Sequence, residues 1–293
     1  MEVKLRVAIQ GGKGAFHDIA ARKYFKGNHL ETVPCDTFID LFESLANKNA
    51  EAAVVAIENS VAGSIIPNYA LLTHFDMQVT GEVYLRIVQN LVALPGQRLC
   101  NIRDIHSHPM AILQCQDFLE PLRHRGVRVV ESPDTALSAK WIREKNQKGA
   151  GALASDMAAE MYGLEIISGS VESNKRNFTR FLIIEPRAKT LKIGNSMEKP
   201  ENKSSVCFTL PHNVGSLSQV LSVLTYYGLN LSKIQSLPIV GKEWEYLFHL
   251  DVLYGNCQMY KKALDAIRPL IDKLQILGEY RSGQMNDDTN DND

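Results

Sequence analysis

Asn177-Phe178-Thr179-Arg180-Phe181, running on into Leu182-Ile183-Ile184, is the stretch that decides the fold. Phe181 to Ile184 are four apolar residues without polar alternation, the mark of a strand covered on both faces. The hydroxyl of Thr179 and the guanidinium of Arg180 then stand at the mouth of that strand.

Upstream, strand and helix signals alternate. Val3, Leu5, Val7 and Ile9 form a first strand ending in Gln10-Gly11-Gly12-Lys13-Gly14-Ala15-Phe16, and helical spacing begins at Phe16, Ile19 and Ala20. Such a glycine-rich turn either aims free backbone N–H groups at an anion or is a tight turn and nothing more. Gly12-Lys13-Gly14 lacks the Ser or Thr of a P-loop. A strand near Thr32-Val33 leads to a helix with Phe38, Leu41, Phe42 and Leu45 on its apolar face. Ala52 to Ile57 is a second buried-strand pattern. It ends in Glu58-Asn59-Ser60, where open α/β sheets place ligands, although a helix cap by Asn59 or Ser60 is the plainer alternative.

Residues 78–94 are strand-like and are expected to cross from one lobe to another. Asp104 to Pro109 reads as a strand end, followed by a helix with Ile112, Cys115 and Leu119 on one face. His106 and His108 alternate there, but no third ligand has a supporting spacing, so no metal site is expected. Further on come a strand at 125–130, a helix capped by Asp134 and running through Leu137 and Trp141, and a small-residue strand at 150–154. A helix at 155–162 and a strand at 165–167 close the series. Repeated β-α units predict α/β layers with a mostly parallel sheet.

Residues 187–203 read as a charged linker. The pattern then restarts: strand 205–210, a helix with Leu217, Val220, Leu221 and Leu224, strand 229–236, and a long strand in which Trp244, Tyr246, Phe248, Leu250 and Val252 alternate. A second amphipathic helix (263–274) and a strand at 275–280 complete β-α-β-β-α-β, the split ferredoxin-like order. The aspartate-rich stretch 282–293 is expected to be disordered.

With 293 residues, 45% apolar and 22% charged, the chain has the composition of a soluble two-domain protein. A formal charge of -1 gives no electrostatic case for nucleic acid or an anionic membrane. The five cysteines are scattered without a C-x-x-C pair, which argues for a reducing compartment. Met1 to Leu5 lead straight into strand alternation, without the apolar core of a signal peptide, and no run is long enough for a membrane span. A cytoplasmic location is expected.

Several stretches in the right order resemble one family, prephenate dehydratase with a C-terminal ACT regulatory domain. Gly11 to Phe16 resembles its G-P-x-G-T-F, Ile57-Glu58-Asn59-Ser60 with Gly63-Ser64 its I-E-N-S-x-x-G-S, and Ser107-His108-Pro109 through Cys115 its S-H-P-Q-A-L-x-Q-C. Asn177 to Phe181 resembles N-x-T-R-F, the most specific of the four motifs. Gly215-Ser216-Leu217 resembles the G-A-L loop of the second domain, and Gln235 to Pro238 stand at its E-S-R-P. Ala15 replaces a threonine and Met110 a glutamine of the family pattern, while Gln235 and Leu237 replace charged residues.

The resemblance implies a two-lobed, periplasmic-binding-protein-like catalytic domain at 1–186, with its second lobe about 83–163, and a ferredoxin-like ACT domain at 204–281. It implies conversion of prephenate to phenylpyruvate, CO2 and water, no cofactor, and feedback by phenylalanine in a homodimer or homotetramer. Thr179 is then the donor to the departing hydroxide, with Glu58 or His108 as proton source. Asn59, Ser60, Ser107, His108, Arg180, Phe181 and Gly14 would bind substrate, Arg180 alternatively serving as a salt bridge within its lobe. Asn213, Val214, Gly215, Ser216, Leu217, Asn230 and Ser236 would bind the effector. Arogenate dehydratase and a non-catalytic amino-acid sensor of the same fold are the rival expectations.

Overall fold

The computed structural model describes residues 4–187, 200–239 and 241–285. Val3, the linker from 188 to 199 and the acidic stretch from 286 onward lie outside the described residues. The described residues fall into two compact units, one drawing on Met1–Ile65 and Val83–Phe181, the other on Ile66–Glu82 and Leu182–Gln284.

In chain order the elements begin with β1 (Leu5–Gln10), α1 (Phe16–Tyr24), β2 (Leu30–Cys35), α2 (Phe38–Ala46), β3 (Ala52–Asn59) and β4 (Gly63–Ser64). Next come α3 (Ile66–His74), β5 (Met77–Arg86), β6 (Asn90–Ala93), β7 (Asp104–Ser107), α4 (Pro109–Gln114) and α5 (Gln116–His124). They are followed by β8 (Arg128–Glu131), α6 (Thr135–Glu144), β9 (Ala150–Ala154), α7 (Asp156–Met161), β10 (Glu165–Ser168) and β11 (Phe178–Pro186). The last group is β12 (Lys203–Thr209), α8 (Ser216–Tyr226), β13 (Asn230–Pro238), β14 (Tyr246–Leu253), α9 (Cys257–Ile267) and β15 (Lys273–Tyr280).

The first sheet has the order β2-β1-β3-β11-β5, with β4 hanging on β3 as an antiparallel hairpin. β2, β1 and β3 are parallel. Between them α2 is started by a reciprocal cap: Thr37 Oγ1 accepts from the Asp40 N–H at 3.1 Å, and Asp40 accepts from the Thr37 N–H at 3.0 Å. β3 is apolar and buried up to Ile57, and Phe178 through Glu185 of β11 are buried throughout, as expected of strands covered on both faces.

The second sheet has the order β10-β6-β9-β7-β8. β7, β8 and β9 are parallel, but β6 runs antiparallel to both β9 and β10. Four of the five strands thus share one direction, in keeping with the expected mostly parallel sheet, and β6 is the reversed one, a direction that its short buried run does not announce. Alternation assigns its two faces. Val92, Ala150, Ala152 and Ala154 pack with α6 and α7, while Leu91, Ala93 and Leu153 pack with Ile112, Leu119 and Leu122 of α4 and α5. The helix expected after Pro109 is two helices that break at buried Cys115.

The third sheet, β13-β14-β12-β15, is antiparallel throughout, and its order and connections are those of the ferredoxin-like βαββαβ fold. Val206, Phe208, Leu250 and Val252 face α8 and α9, with Val220, Leu224, Tyr260, Leu264 and Ile267 in one core. One expectation on β14 is corrected: Trp244 precedes the strand at φ 62° and is exposed, while Phe248 packs against this domain's own core.

Within the second unit a buried ion pair joins β12 to β5. Lys203 Nζ lies 3.0 and 2.9 Å from the two Glu82 oxygens, and the Gly283 N–H also donates to Glu82 at 2.9 Å. Nearby, a Cβ on Gly278 would lie 1.9 Å from the Val79 carbonyl oxygen, so β15 approaches β5 only because residue 278 is glycine. Removing one partner of a buried pair leaves the other charge poorly compensated, at about 3–5 kcal/mol. Glu82→Ala is therefore expected to lower the unfolding free energy read from a urea titration by an amount in that range, and a variant of unchanged stability would remove the pair from the stability of the second unit.

Candidate active site

The β1–α1 turn is built by its glycines. Gly11 and Gly14 have φ of 88° and 85°. A Cβ on Gly11 would lie 2.3 Å from Asp134 Oδ2, and one on Gly14 would lie 3.0 Å from the Ala158 Cα. The turn is thus pressed against the N-termini of α6 and α7 in the second lobe. Ser155 Oγ donates to the Gly14 carbonyl at 2.6 Å, and Tyr162 Oη donates to the Lys13 carbonyl at 2.8 Å.

Four of the expected free N–H groups of this turn are already used. Gly11 donates to the Cys35 carbonyl, Gly12 to Asp134 Oδ1 at 3.3 Å, Gly14 to Asp18 Oδ2 at 2.8 Å, and Ala15 to the Gly12 carbonyl. What the turn leaves open is the first turn of α1. Its N-cap residue, Ala15, supplies no side-chain hydrogen bond, so the positive end of the helix is left without a side-chain cap.

Across the first sheet, one side chain joins β3 to β11. Asn59 Nδ2 donates to Asn177 Oδ1 at 2.7 Å and Thr179 Oγ1 at 2.9 Å, with the Phe178 carbonyl at 3.2 Å. Its Oδ1 accepts from the Val61 and Ala62 N–H groups. Because Thr179 accepts from Asn59, its own hydrogen is directed elsewhere, and among the described residues it has no acceptor. Asn177 is 1% exposed, and its Nδ2 has no partner among the described residues.

Phe181, two residues along the face of Thr179, meets the ring of His17 edge-on at 5.0 Å. His17 also packs at 5.6 Å on Phe38, and its buried Nε2 lacks a partner among the described residues. Burial, and secondarily the neighbouring His108, push the His17 pKa down to about 3. His108 caps α4, its Nδ1 accepting from the Met110 N–H at 3.2 Å, which leaves the hydrogen of the neutral ring on Nε2. Burial lowers its pKa against the opposing pull of Asp134 and Glu131. Burial raises the Asp134 carboxyl, opposed by the N–H groups of Leu137, Gly12 and Ala136.

The residues expected at the site therefore separate. Thr179, Asn59, Phe181 and His108 are gathered, with His17, Asn177 and Asp134 added to them. Gly14 shapes the turn instead of offering its N–H. Ser60 acts as a strand staple, its Oγ accepting from the Phe178 N–H at 2.9 Å and donating to the Arg176 carbonyl at 3.1 Å. Ser107 is fully buried and donates to the Leu153 carbonyl at 2.8 Å. Strand alternation sends Glu58 and Arg180 to the face opposite Asn59 and Thr179, so the expected pairing of Thr179 with Arg180 at one strand mouth is corrected. His17 carried one signal, its place in the first turn after the glycines; Asn177 carried another, the motif that it opens. His106 is held by Asp104 at 2.9 Å, and no group of three or more His, Cys, Asp or Glu fit for a metal occurs among the described residues. No helix among the described residues is long and apolar enough to cross a membrane.

In the second unit Asn213, Val214 and Gly215 are exposed, with Gly215 at φ 82 capping α8 without a side chain. Ser216 and Leu217 are half-buried, Leu217 against the ferredoxin-like core, and Asn230 and Ser236 are exposed on the edge strand β13.

A two-lobed α/β domain with a polar constellation between its lobes, followed by a ferredoxin-like domain, defines a class of ligand-gripping, two-domain proteins. The sequence model of one family, prephenate dehydratase, matches residues 7–189. The chain is 35% identical over 296 residues to arogenate dehydratase 2 of Petunia hybrida, covering 95% of this chain and 72% of that one. Among solved structures it resembles GqqA, described as a quorum-quenching acylase, with a TM-score of 0.82 and 32% identity over 94% of this chain and 98% of that one. The prephenate dehydratase of Arthrobacter aurescens in complex with L-Phe shares the fold, with a TM-score of 0.81 and 24% identity over 96% and 90% of the two chains. This chain belongs to the prephenate dehydratase family.

A histidine whose folded pKa lies below its unfolded value takes up its proton preferentially in the unfolded chain. Stability from neutral His17 is thus complete above about pH 6.5 and is lost as the pH falls toward 3. Urea unfolding between pH 7 and 4.5 should show stability declining, with His17 contributing up to about 1.4 kcal/mol per pH unit. His17→Gln should flatten that slope, and an unchanged slope would show that His17 is not buried neutral.

Proposed function

We propose that the chain is a prephenate dehydratase with a catalytic domain at 1–186 and a regulatory ACT domain at 204–281. The observation that carries this reading is Thr179: Asn59 occupies an acceptor position of its hydroxyl and leaves the hydrogen to be given away. In the reaction the ring carboxylate leaves as CO2, and its bonding electrons enter the ring. The ring hydroxyl departs with its own electron pair and takes a proton to become water, leaving phenylpyruvate. Negative charge grows on that oxygen in the transition state, where a positioned O–H strengthens its hydrogen bond. His108 is the proton source in this reading in preference to Glu58, which stands on the opposite sheet face. The start of α1, which has no side-chain cap at Ala15 although Asp18 stands in its first turn, is the further donor site for a substrate carboxylate in this reading.

Thr179→Ala is expected to lower kcat about 10²–10⁴-fold with KM within a few-fold, while Thr179→Ser keeps the donor and most of the rate. Phenylpyruvate absorbance measures both, and near-normal turnover by the alanine variant would remove Thr179 from this role. Prephenate and arogenate are to be compared side by side, since the Petunia relative is named an arogenate dehydratase. The likeness to GqqA makes acyl-amide hydrolysis a second reading, to be tested as fatty-acid release. That chemistry needs a base to take the Thr179 proton, and the hydroxyl has no acceptor among the described residues.

Regulation belongs to the same reading. The cap of α8 at Gly215 offers backbone donors to an amino acid's carboxylate, and the Arthrobacter structure holds L-Phe. The exposed edge of β13 supports pairing of two copies, as a homodimer or homotetramer, and the five unpaired cysteines fit the cytoplasm. Phenylalanine should depress turnover more than tyrosine or tryptophan. Gly215→Val, strained at φ 82, should abolish the response and spare basal activity. Indifference to all three amino acids would sink the regulatory reading alone.

A further inference from the structure

The lobe built on the second sheet has a second opening. A cavity of about 760 Å³ is lined by the loop after β6, the residues just before β7 and β9, and the end of α6. β7 and β9 are parallel, and Ser107 and Ser155 mark their carboxyl ends at the inter-lobe constellation. The cavity lies at their amino ends, about 15 Å away along strands of four or five residues. It is thus separate from the candidate active site.

Its chemistry has one sign. Arg103, Arg143 and Lys148 line it, no acidic residue does, and among the described residues none of the three is in an ion pair. At its edge Glu165 accepts from the N–H of the lining residue Gly96 at 2.9 Å. The amide of Gln97 adds a fixed donor. Its Oε1 is held by the Gly149 N–H at 2.6 Å, which turns Nε2 away, and that buried Nε2 has no partner among the described residues. Leu94 and Pro95 supply an apolar wall. The three cations are exposed to solvent and so carry their charge at the cavity's mouth, and the buried amide without an acceptor is costly to leave unmatched.

We infer that this cavity is a binding site for a small polyanion carrying two or more carboxylate or phosphate groups, held by Arg103, Arg143 and Lys148 with Gln97 donating to one oxygen. Its volume is that of a small-molecule site, and guanidinium forks match either acid.

Calorimetric titration of the full chain with pyrophosphate in one arm and citrate in the other tests this, at about 150 mM salt so that loose surface attraction is screened. Binding of at least one probe with Kd below about 1 mM is expected, and the arm that responds tells phosphate from carboxylate. Arg143→Gln, at an exposed position, should weaken it about ten-fold. Gln97→Glu keeps an acceptor for the Gly149 N–H but turns a carboxylate oxygen toward the anion, and should abolish binding. Lys262→Gln removes the same charge from α9 and should leave the affinity unchanged. Failure of both probes, an unaltered Kd in Arg143→Gln and Gln97→Glu, or an equal loss in Lys262→Gln would overturn the inference.

Discussion

The amide of Asn59 is the constraint on which the first lobe depends. Its oxygen has two acceptor positions, and the Val61 and Ala62 N–H groups fill both. Its nitrogen has two hydrogens, and the shorter contacts, 2.7 Å to Asn177 and 2.9 Å to Thr179, take them, with the Phe178 carbonyl a weaker third partner at 3.2 Å. No other short side chain does this. Aspartate would turn an oxygen toward three acceptors, and serine lacks the reach to span two strands. The end of β3 and the start of β11 are therefore locked in register, and the Thr179 hydroxyl is oriented by that lock. In the proposed reading Asn59 acts by positioning that donor.

Burial sets the electrostatics around that hydroxyl. His17 and His108 are both held below the usual imidazole range, so two neutral rings border the space at neutral pH. Neutral donors attract a dianion less than cations do, and the start of α1, where the buried Asp18 already stands in the first turn, offsets this only in part. A dianion placed there acts back on the rings. It opposes the effect of burial, raises both pKa values and favours the proton where a departing hydroxide has use for it. The site in this reading becomes acidic only when it is filled.

Much of this was legible in the sequence, for reasons that differ from residue to residue. β3 and β11 announced themselves as apolar runs, and Asp134 as a cap, because burial and capping leave local patterns. The faces of β11 were equally local, since Thr179 and Arg180 are neighbours and must diverge, yet a motif read as a unit conceals that alternation. The saturation of Asn59 was not legible, because its partners lie up to 120 residues away. Nor was the direction of β6 or the end of β14 short of Trp244, since hydrophobic pattern fixes neither pairing sense nor strand limits. The glycine turn misled for a related reason. Its N–H groups were counted as free, but Cys35, Asp18 and the turn's own Gly12 carbonyl take three of them, and glycine lets Asp134 of the second lobe come close enough to take a fourth.

Ala15 shows how the turn and the second lobe depend on each other. As a departure from the family's threonine it reads as a lost polar contact, yet it is 3% exposed and packs in the core with Ala136, Ala154 and Ala158. That core is built chiefly of alanines, which lets α6 and α7 lie close to β9 and brings their N-termini, with Asp134 and Ser155, up to the Gly11–Gly14 turn. A threonine hydroxyl at 15 would have to be satisfied inside this apolar cluster or would cap α1. Alanine exchanges the cap for packing between the lobes, and in doing so it uncovers the helix end that the proposed chemistry uses.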